Sequence, residues 1–233
     1  EKYGTDISVE RVRIKYNGNA VLDEVYIADH HDDTLIFAET VETSILSLQQ
    51  LLNNRLNLGD VTISDGTMNV RKYKGEENDN LYIFSQKFNT GNPSGTPFKL
   101  SSSEVNLEHM KFRFIDENRD DPNLVNFSNL NLVASDFKLD DVEVTAQIEE
   151  LNLDAAQGYH VRGLEADFKY NPDEIVLKDM TLKTENSMIR GDLKLDTRNE
   201  AFSDFNNLVQ ITADFKQSEI ATTDLKAFYA EFG

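Results

Sequence analysis

Six times along the 233 residues, an apolar residue is followed by two polar or small residues, an apolar residue, any residue and a further apolar one. The copies are VERVRI from Val9, LDEVYI from Leu22, LGDVTI from Leu58, FSNLNL from Phe127, IEELNL from Ile148 and LKDMTL from Leu177. A strand turns successive side chains to opposite faces. The three-residue step in the motif would throw its second apolar residue onto the wrong face. A bulge at the polar pair restores the face, and it bends and twists the strand. The same corner made repeatedly predicts a strongly curved sheet assembled from similar units. Spacing between copies is irregular, so the repeat is loose. The competing reading is an ordinary antiparallel sheet with the patterns any such sheet shows.

Alternation at every second position surrounds these motifs. RVRIKY (Arg11–Tyr16), DVTISDGTMNVRKY (Asp60–Tyr73), VNLEHMKFRFID (Val105–Asp116) and VEVTAQ (Val142–Gln147) read as half-buried strands. YNGN (Tyr16–Asn19), SDGT (Ser64–Thr67), AQGY (Ala156–Tyr159) and YNPDE (Tyr170–Glu174) carry turn chemistry. The short hairpin-like connections favour antiparallel pairing. Three segments have helical stripes: Thr43–Asn54 with Ile45, Leu48, Leu51 and Leu52; Asp79–Phe88 with Leu81, Phe84 and Phe88; and Thr222–Phe232 with Leu225, Phe228, Tyr229 and Phe232. Such stripes are expected to pack in the core. TGNPSGTP (Thr90–Pro97) is a loop that gives a soft division within one region spanning residues 1–233.

Hydrophobic residues make up 39% and tryptophan is absent, too lean for one thick core. The apolar side chains must be spread over many short elements. A net charge of -19 repels nucleic acid, so a nucleic-acid function is excluded. With no cysteine there are no disulfides, thiolate metal sites or cysteine nucleophiles. No stretch approaches the roughly 20 apolar residues of a membrane span, and no signal peptide is present. The chain opens on EKYGTDISVE, already at the edge of a strand pattern, which reads as a trimmed natural start.

The residues offer few candidates for chemistry. His30 and His31 stand beside Asp32 and Asp33 in VYIADHHDDTLIFAE. Adjacent residues of a strand point apart, so only a turn could bring both imidazoles to one ion. The expected reading is a hairpin with HDD at its tip; a metal-binding or enzymatic domain centred on the two histidines is the alternative. Asp116, Asn118 and Asp120 imitate the opening of a calcium loop, but Asp121 replaces the required glycine and Phe127 the bidentate glutamate. That stretch is expected to be a solvated hairpin loop. Ser135 and Lys138 match S-x-x-K within an alternating strand rather than at a helix start. Nothing assembles a nucleophile with its base, so no catalytic residue, metal or cofactor is assigned and the chain reads as a scaffold or binding module.

The opening EKYGTDISVERVRIKYNGNAVLDEVYIAD resembles the segment that follows the membrane anchor of AsmA-like proteins. More closely, it is similar to TamB-type translocation and assembly module proteins of Bacteroidetes-like bacteria. DHHDDTLIFAETVETSILSL, LGDVTISDGTMNVRKYKGEENDNL, FRFIDENRDDP, SDFKL and TDLKAFYAEFG carry the likeness through the rest of the chain. The resemblance implies a mainly β fold. It would be an elongated, curved, taco-like and mostly antiparallel sheet with an apolar concave face and about three short amphipathic helices. It further implies a periplasmic region, anchored to the inner membrane by a removed N-terminal helix. Two jobs follow: carrying phospholipid towards the outer membrane, and helping a β-barrel partner assemble outer-membrane or secreted proteins. Contact with that barrel would pass through a C-terminal domain absent from this sequence.

On the first reading, phospholipid acyl chains slide along a groove lined by the fourth and sixth motif positions. These are Val12, Ile14, Val25, Ile27, Val61, Ile63, Leu130, Leu132, Leu151, Leu153, Met180 and Leu182. Burying each methylene contributes roughly 0.8 kcal/mol, so an acyl chain needs no polar anchor. Alternation also suits these side chains as plain core, because it reports a buried face and not what buries it. On the second reading, unpaired sheet edges template strands of client proteins.

Overall fold

The alternating segments pair into one open, curved sheet of thirteen strands. The computed structural model describes residues 7–44, 55–90, 99–120, 122–156, 158–198 and 210–224. The strands are β1 (Ile7–Ile14), β2 (Ala20–Ala28), β3 (Thr34–Thr43), β4 (Arg55–Asn57), β5 (Asp60–Lys72), β6 (Lys99–Asp116) and β7 (Asn123–Asp140). There follow β8 (Glu143–Ala155), β9 (His160–Val161), β10 (Gly163–Asn171), β11 (Glu174–Lys183), β12 (Met188–Asp196) and β13 (Gln210–Phe215). Spatial order runs β1-β2-β3-β5-β6-β7-β8-β10-β11-β12-β13, with short β4 on β6 and short β9 on β8.

Pairing is antiparallel except where β6 meets β4 and β5, which run parallel to it. Parallel neighbours need a crossover, and the segment between β5 and β6 carries helix α1 (Asn80–Thr90). The other two expected helices fall largely on residues 45–54 and 225–233, outside the described residues; a helical turn at 222–224 is seen. Asp79 caps α1, its Oδ1 accepting the Tyr82 amide at 2.7 Å.

In three of the six motif copies the corner is a left-handed residue inside a strand; Arg11, Asp60 and Glu150 of the other three do not take that conformation. Glu24, Asn129 and Asp179 take φ of 53°, 49° and 48° at the third motif position. Asp65, His109 and Asp136 make the same excursion at 54°, 52° and 51°. Each lets the chain step three residues and return its apolar side chain to the same face. In β6 and β7, Leu107 pairs with Leu132 while Met110 pairs with Leu130, three steps opposing two. Aspartate and asparagine tolerate this conformation best among residues with a side chain, which is why the polar pair so often ends in one. SDGT is therefore not a turn. Asp65 bends β5, and the strand runs on through Gly66 and Thr67. The YNGN, AQGY and YNPDE segments do connect strands.

Near the end of the described chain, Asp224 fastens the segment after β13 to the β11–β12 turn. Its carboxylate accepts from Ser187 Oγ at 2.5 Å, from Thr184 Oγ1 and from Asn186 Nδ2 at 3.3 Å. These hydroxyl donors, Ser187 first, hold the carboxyl below the usual range. A depressed folded pKa stabilises above the unfolded value and loses that contribution as pH falls through the folded one. Asp224→Asn is therefore expected to lower the melting temperature at about pH 7, with the gap to wild type narrowing once the pH falls below about 4. Thermal melts of both proteins across that range test it. An unchanging gap would assign the loss to geometry instead of charge.

Candidate functional site

Register places the predicted groove residues on one face. A single cross-strand row runs Val12–Leu22–Val41–Ile63–Leu107–Leu132–Leu151, from β1 to β8. A parallel row runs Ile7–Ile27–Ile36–Met68–Phe112–Phe127–Ala155. Between them lie Val9, Val25 and Ala38. That row continues over Gly66, where the Met110 side chain lies across the backbone, and Met110 pairs with Leu130. Ile14, Ala20, Thr43, Val61, Val105, Ala134 and Ile148 form the fourth row. Leu151 and Leu182 pack against the buried trio Leu164, Ala166 and Met180, so the apolar surface continues to β12. Leu153 joins it through its partner Val161.

Burial along this face is graded. Val61, Leu153 and Met180 are buried, whereas Val12 and Ile14 on terminal strand β1 are 58% and 68% exposed. Val25, Ile27, Ile63, Leu130, Leu132, Leu151 and Leu182 are half-buried. Helix α1 lies against β5. The other face is mostly polar, although buried Val21 and half-buried Phe37 fall on it, and it carries cross-strand ion pairs, such as Arg13 with Asp23 at 2.5 Å and Lys194 with Glu174 at 2.5 Å.

At the β4 side, a cleft of about 570 Å³ is lined by Leu56, Leu100 and Leu139 together with Arg55, Lys99 and Lys138. Lys99 is paired with Asp140 at 2.5 Å. Asp140 lines the same cleft and offsets Lys99, which leaves Arg55 and Lys138 as its excess positive charge beside the leucines.

No protein-family model matches the chain, and a search of curated proteins finds no relative.

No helix among the described residues is long and apolar enough to cross a membrane. DENRDD belongs to the β6–β7 hairpin, where Asp116 Oδ1 accepts the Asn118 amide at 3.0 Å. Ser135 donates to Glu149 at 2.7 Å from the middle of β7, in no arrangement with Lys138. HHDD is the β2–β3 turn. Because it is a turn, both imidazoles swing the same way, and each meets one oxygen of Glu76. The sequence reading missed Glu76, about 45 residues downstream on the loop after β5, because no spacing rule links it to the histidines. It also passed over Asp29, which is 4% exposed. Its Oδ1 accepts the amides of His31 and Asp33 at 2.8 and 3.0 Å, and its Oδ2 accepts from Tyr73 and Asn80 at 2.7 and 2.8 Å. Burial opposes the Asp29 charge, but these donors outweigh it and hold the carboxyl below its usual range. An aspartate opening a turn, two residues ahead of the amide it accepts, is the local signal that pointed to it.

Proposed function

We propose that the chain is a non-enzymatic segment of a lipid conduit, its apolar face holding phospholipid acyl chains while head groups stay in water. One observation carries the reading. Strand after strand, a single sheet face is apolar and half-exposed, with no second sheet laid over it among the described residues. Contiguous exposed apolar surface on a soluble domain marks an interaction or ligand-binding site. The cleft at Leu56, Leu100 and Leu139 supports it, since Arg55 and Lys138 are suited to a head-group phosphate. In this reading the chain is the periplasmic region of an AsmA-like, TamB-type protein held at the inner membrane. It passes phospholipid towards the outer membrane, and a β-barrel partner is met through parts beyond this sequence.

A second reading is an assembly scaffold that adds client strands. It draws on the open edges, since every residue of β1 and of β13 is exposed.

Photo-crosslinking in cells distinguishes the two. Probes at Leu130, Leu132 and Leu139 are expected to capture phospholipid, and probes at Asn106 and Glu150 on the polar face are not. Protein adducts concentrated at β1 and β13, with no lipid at the leucines, would replace the conduit by the scaffold. Equal lipid capture on both faces would sink the groove.

A further inference from the structure

We propose that His30, His31 and Glu76 form a binding site for a divalent transition-metal ion of the zinc class, at the rim of the sheet and independent of the apolar face. The donor atoms already converge. His30 Nε2 lies 2.9 Å from Glu76 Oε2, and His31 Nε2 lies 2.8 Å from Glu76 Oε1. All three donors fall within 4.8 Å of one another. Tetrahedral bonds of about 2.0–2.1 Å place ligand atoms roughly 3.3 Å apart, so small side-chain rotations admit an ion. Two imidazoles and one carboxylate make a three-ligand set that leaves a fourth position for water. Imidazole donors favour zinc and its neighbours over calcium or magnesium, which take oxygen ligands.

The supporting shell is built before any ion arrives. Asp29 shapes the turn by accepting two of its amides. Asp32 takes a left-handed φ of 64°, which turns the chain back sharply. The Tyr73 ring backs both imidazoles, its centroid 3.9 Å from that of His31 and 5.5 Å, edge-on, from that of His30. Tyr73 is itself fixed, its phenol donating to Asp29 at 2.7 Å and Asp33 at 2.8 Å. Burial and these two carboxylates push the phenol well up, so it stays a donor. On the other side, the Glu76 amide donates to the Tyr73 carbonyl at 3.0 Å. Asn118, from the β6–β7 hairpin, accepts the Gly75 amide at 2.7 Å and donates to the Tyr73 carbonyl at 3.2 Å. Three separate segments therefore hold the ligands in place, as metal sites require of their outer shell.

His30 presents one ring nitrogen to the cluster and turns the other away. Its Nδ1 is buried and has no hydrogen-bond partner, alone among the side-chain polar atoms of the described residues. Such orphans are costly and rare in native structures. The ring orientation aims Nε2 at Glu76 Oε2, 2.9 Å away, which makes Nε2 the donor atom of His30 at this site. The carboxylates of Asp29, Asp32 and Asp33 nearby add a negative field that favours a cation. A bound ion would clamp the β2–β3 turn onto the loop leading from β5 into α1.

The test is a titration of the whole chain with Zn²⁺ against a chromogenic chelator, repeated with Co²⁺ to read the tetrahedral absorption bands. One equivalent is expected to bind to wild type, with excess Mg²⁺ failing to compete. His31→Gln and Glu76→Gln should each weaken binding by about a hundredfold or more. Both side chains are partly exposed, and circular dichroism should show both variants folded. His109→Gln and His160→Gln should leave affinity unchanged. Binding that survives both His31→Gln and Glu76→Gln, or that disappears equally with His109→Gln, overturns the site. So does a wild type that binds no more than one tenth of an equivalent.

Discussion

Asn80→Asp is expected to cost about 4 kcal/mol at neutral pH, lowering the melting temperature by about 8–16 °C. Asn80 is 1% exposed and satisfies three groups at once. Its Oδ1 accepts the Arg71 amide at 2.8 Å, and its Nδ2 donates to Asp29 Oδ2 at 2.8 Å and to the Asn69 carbonyl at 3.1 Å. Aspartate has the same shape, so no cavity forms. It removes both donor hydrogens and sets a second carboxylate against Asp29 in a buried place. One of the two must then take up a proton, and its pKa rises. The penalty should therefore shrink as pH falls towards about 4.5, whereas Asn80→Ala should cost about 3 kcal/mol with little such relief. Urea titrations followed by far-UV circular dichroism suit a chain without tryptophan. A neutral-pH loss below about 1 kcal/mol for Asn80→Asp would show that this polar cluster is not what ties α1 to the sheet.

Gly66→Val is expected to cost about 3 kcal/mol or more through overpacking. A Cβ at this position would meet the Phe37 carbonyl oxygen at 2.5 Å and the Met110 side chain at 2.7 and 2.8 Å. Met110 can swing aside, but the Phe37 carbonyl is backbone of β3 and cannot move without opening the β3–β5 pairing. Gly66→Ala in a Met110→Ala background separates the two contacts. Relief of most of the loss there would lay the cost on the side chain; persistence would lay it on the backbone. Hydrogen exchange should show β3 and β5 losing protection first, with β10 to β12 unaffected. Uniform loss across the sheet would contradict a local clash.

Period-two alternation located β1, β5, β6 and β8, and the three-residue step located corners at Glu24, Asn129 and Asp179. Both are local consequences of side-chain geometry, so sequence carries them. SDGT misled because its turn chemistry serves a left-handed residue in mid-strand as well as it serves a reversal. The parallel β5–β6 pairing was invisible, since strand direction depends on the crossover through α1 and not on the strands themselves. The histidine turn was legible as a turn. Its convergence with Glu76 was not, because that contact is set by how the β2–β3 hairpin sits beside the end of β5.

The order of strands in space follows their order in the chain almost without exception. Leaving aside the short strands β4 and β9, each new strand docks on the long strand before it, so little loop entropy is spent on distant closures. Such a chain can assemble vectorially, hairpin by hairpin, as it emerges from a ribosome or a translocon. It can also be lengthened or shortened one hairpin at a time with only the strands at the splice renegotiating their contacts. Growth of this kind is open to any ancestor that duplicates a pair of strands, and the loose recurrence of the six-residue motif is what it would leave behind.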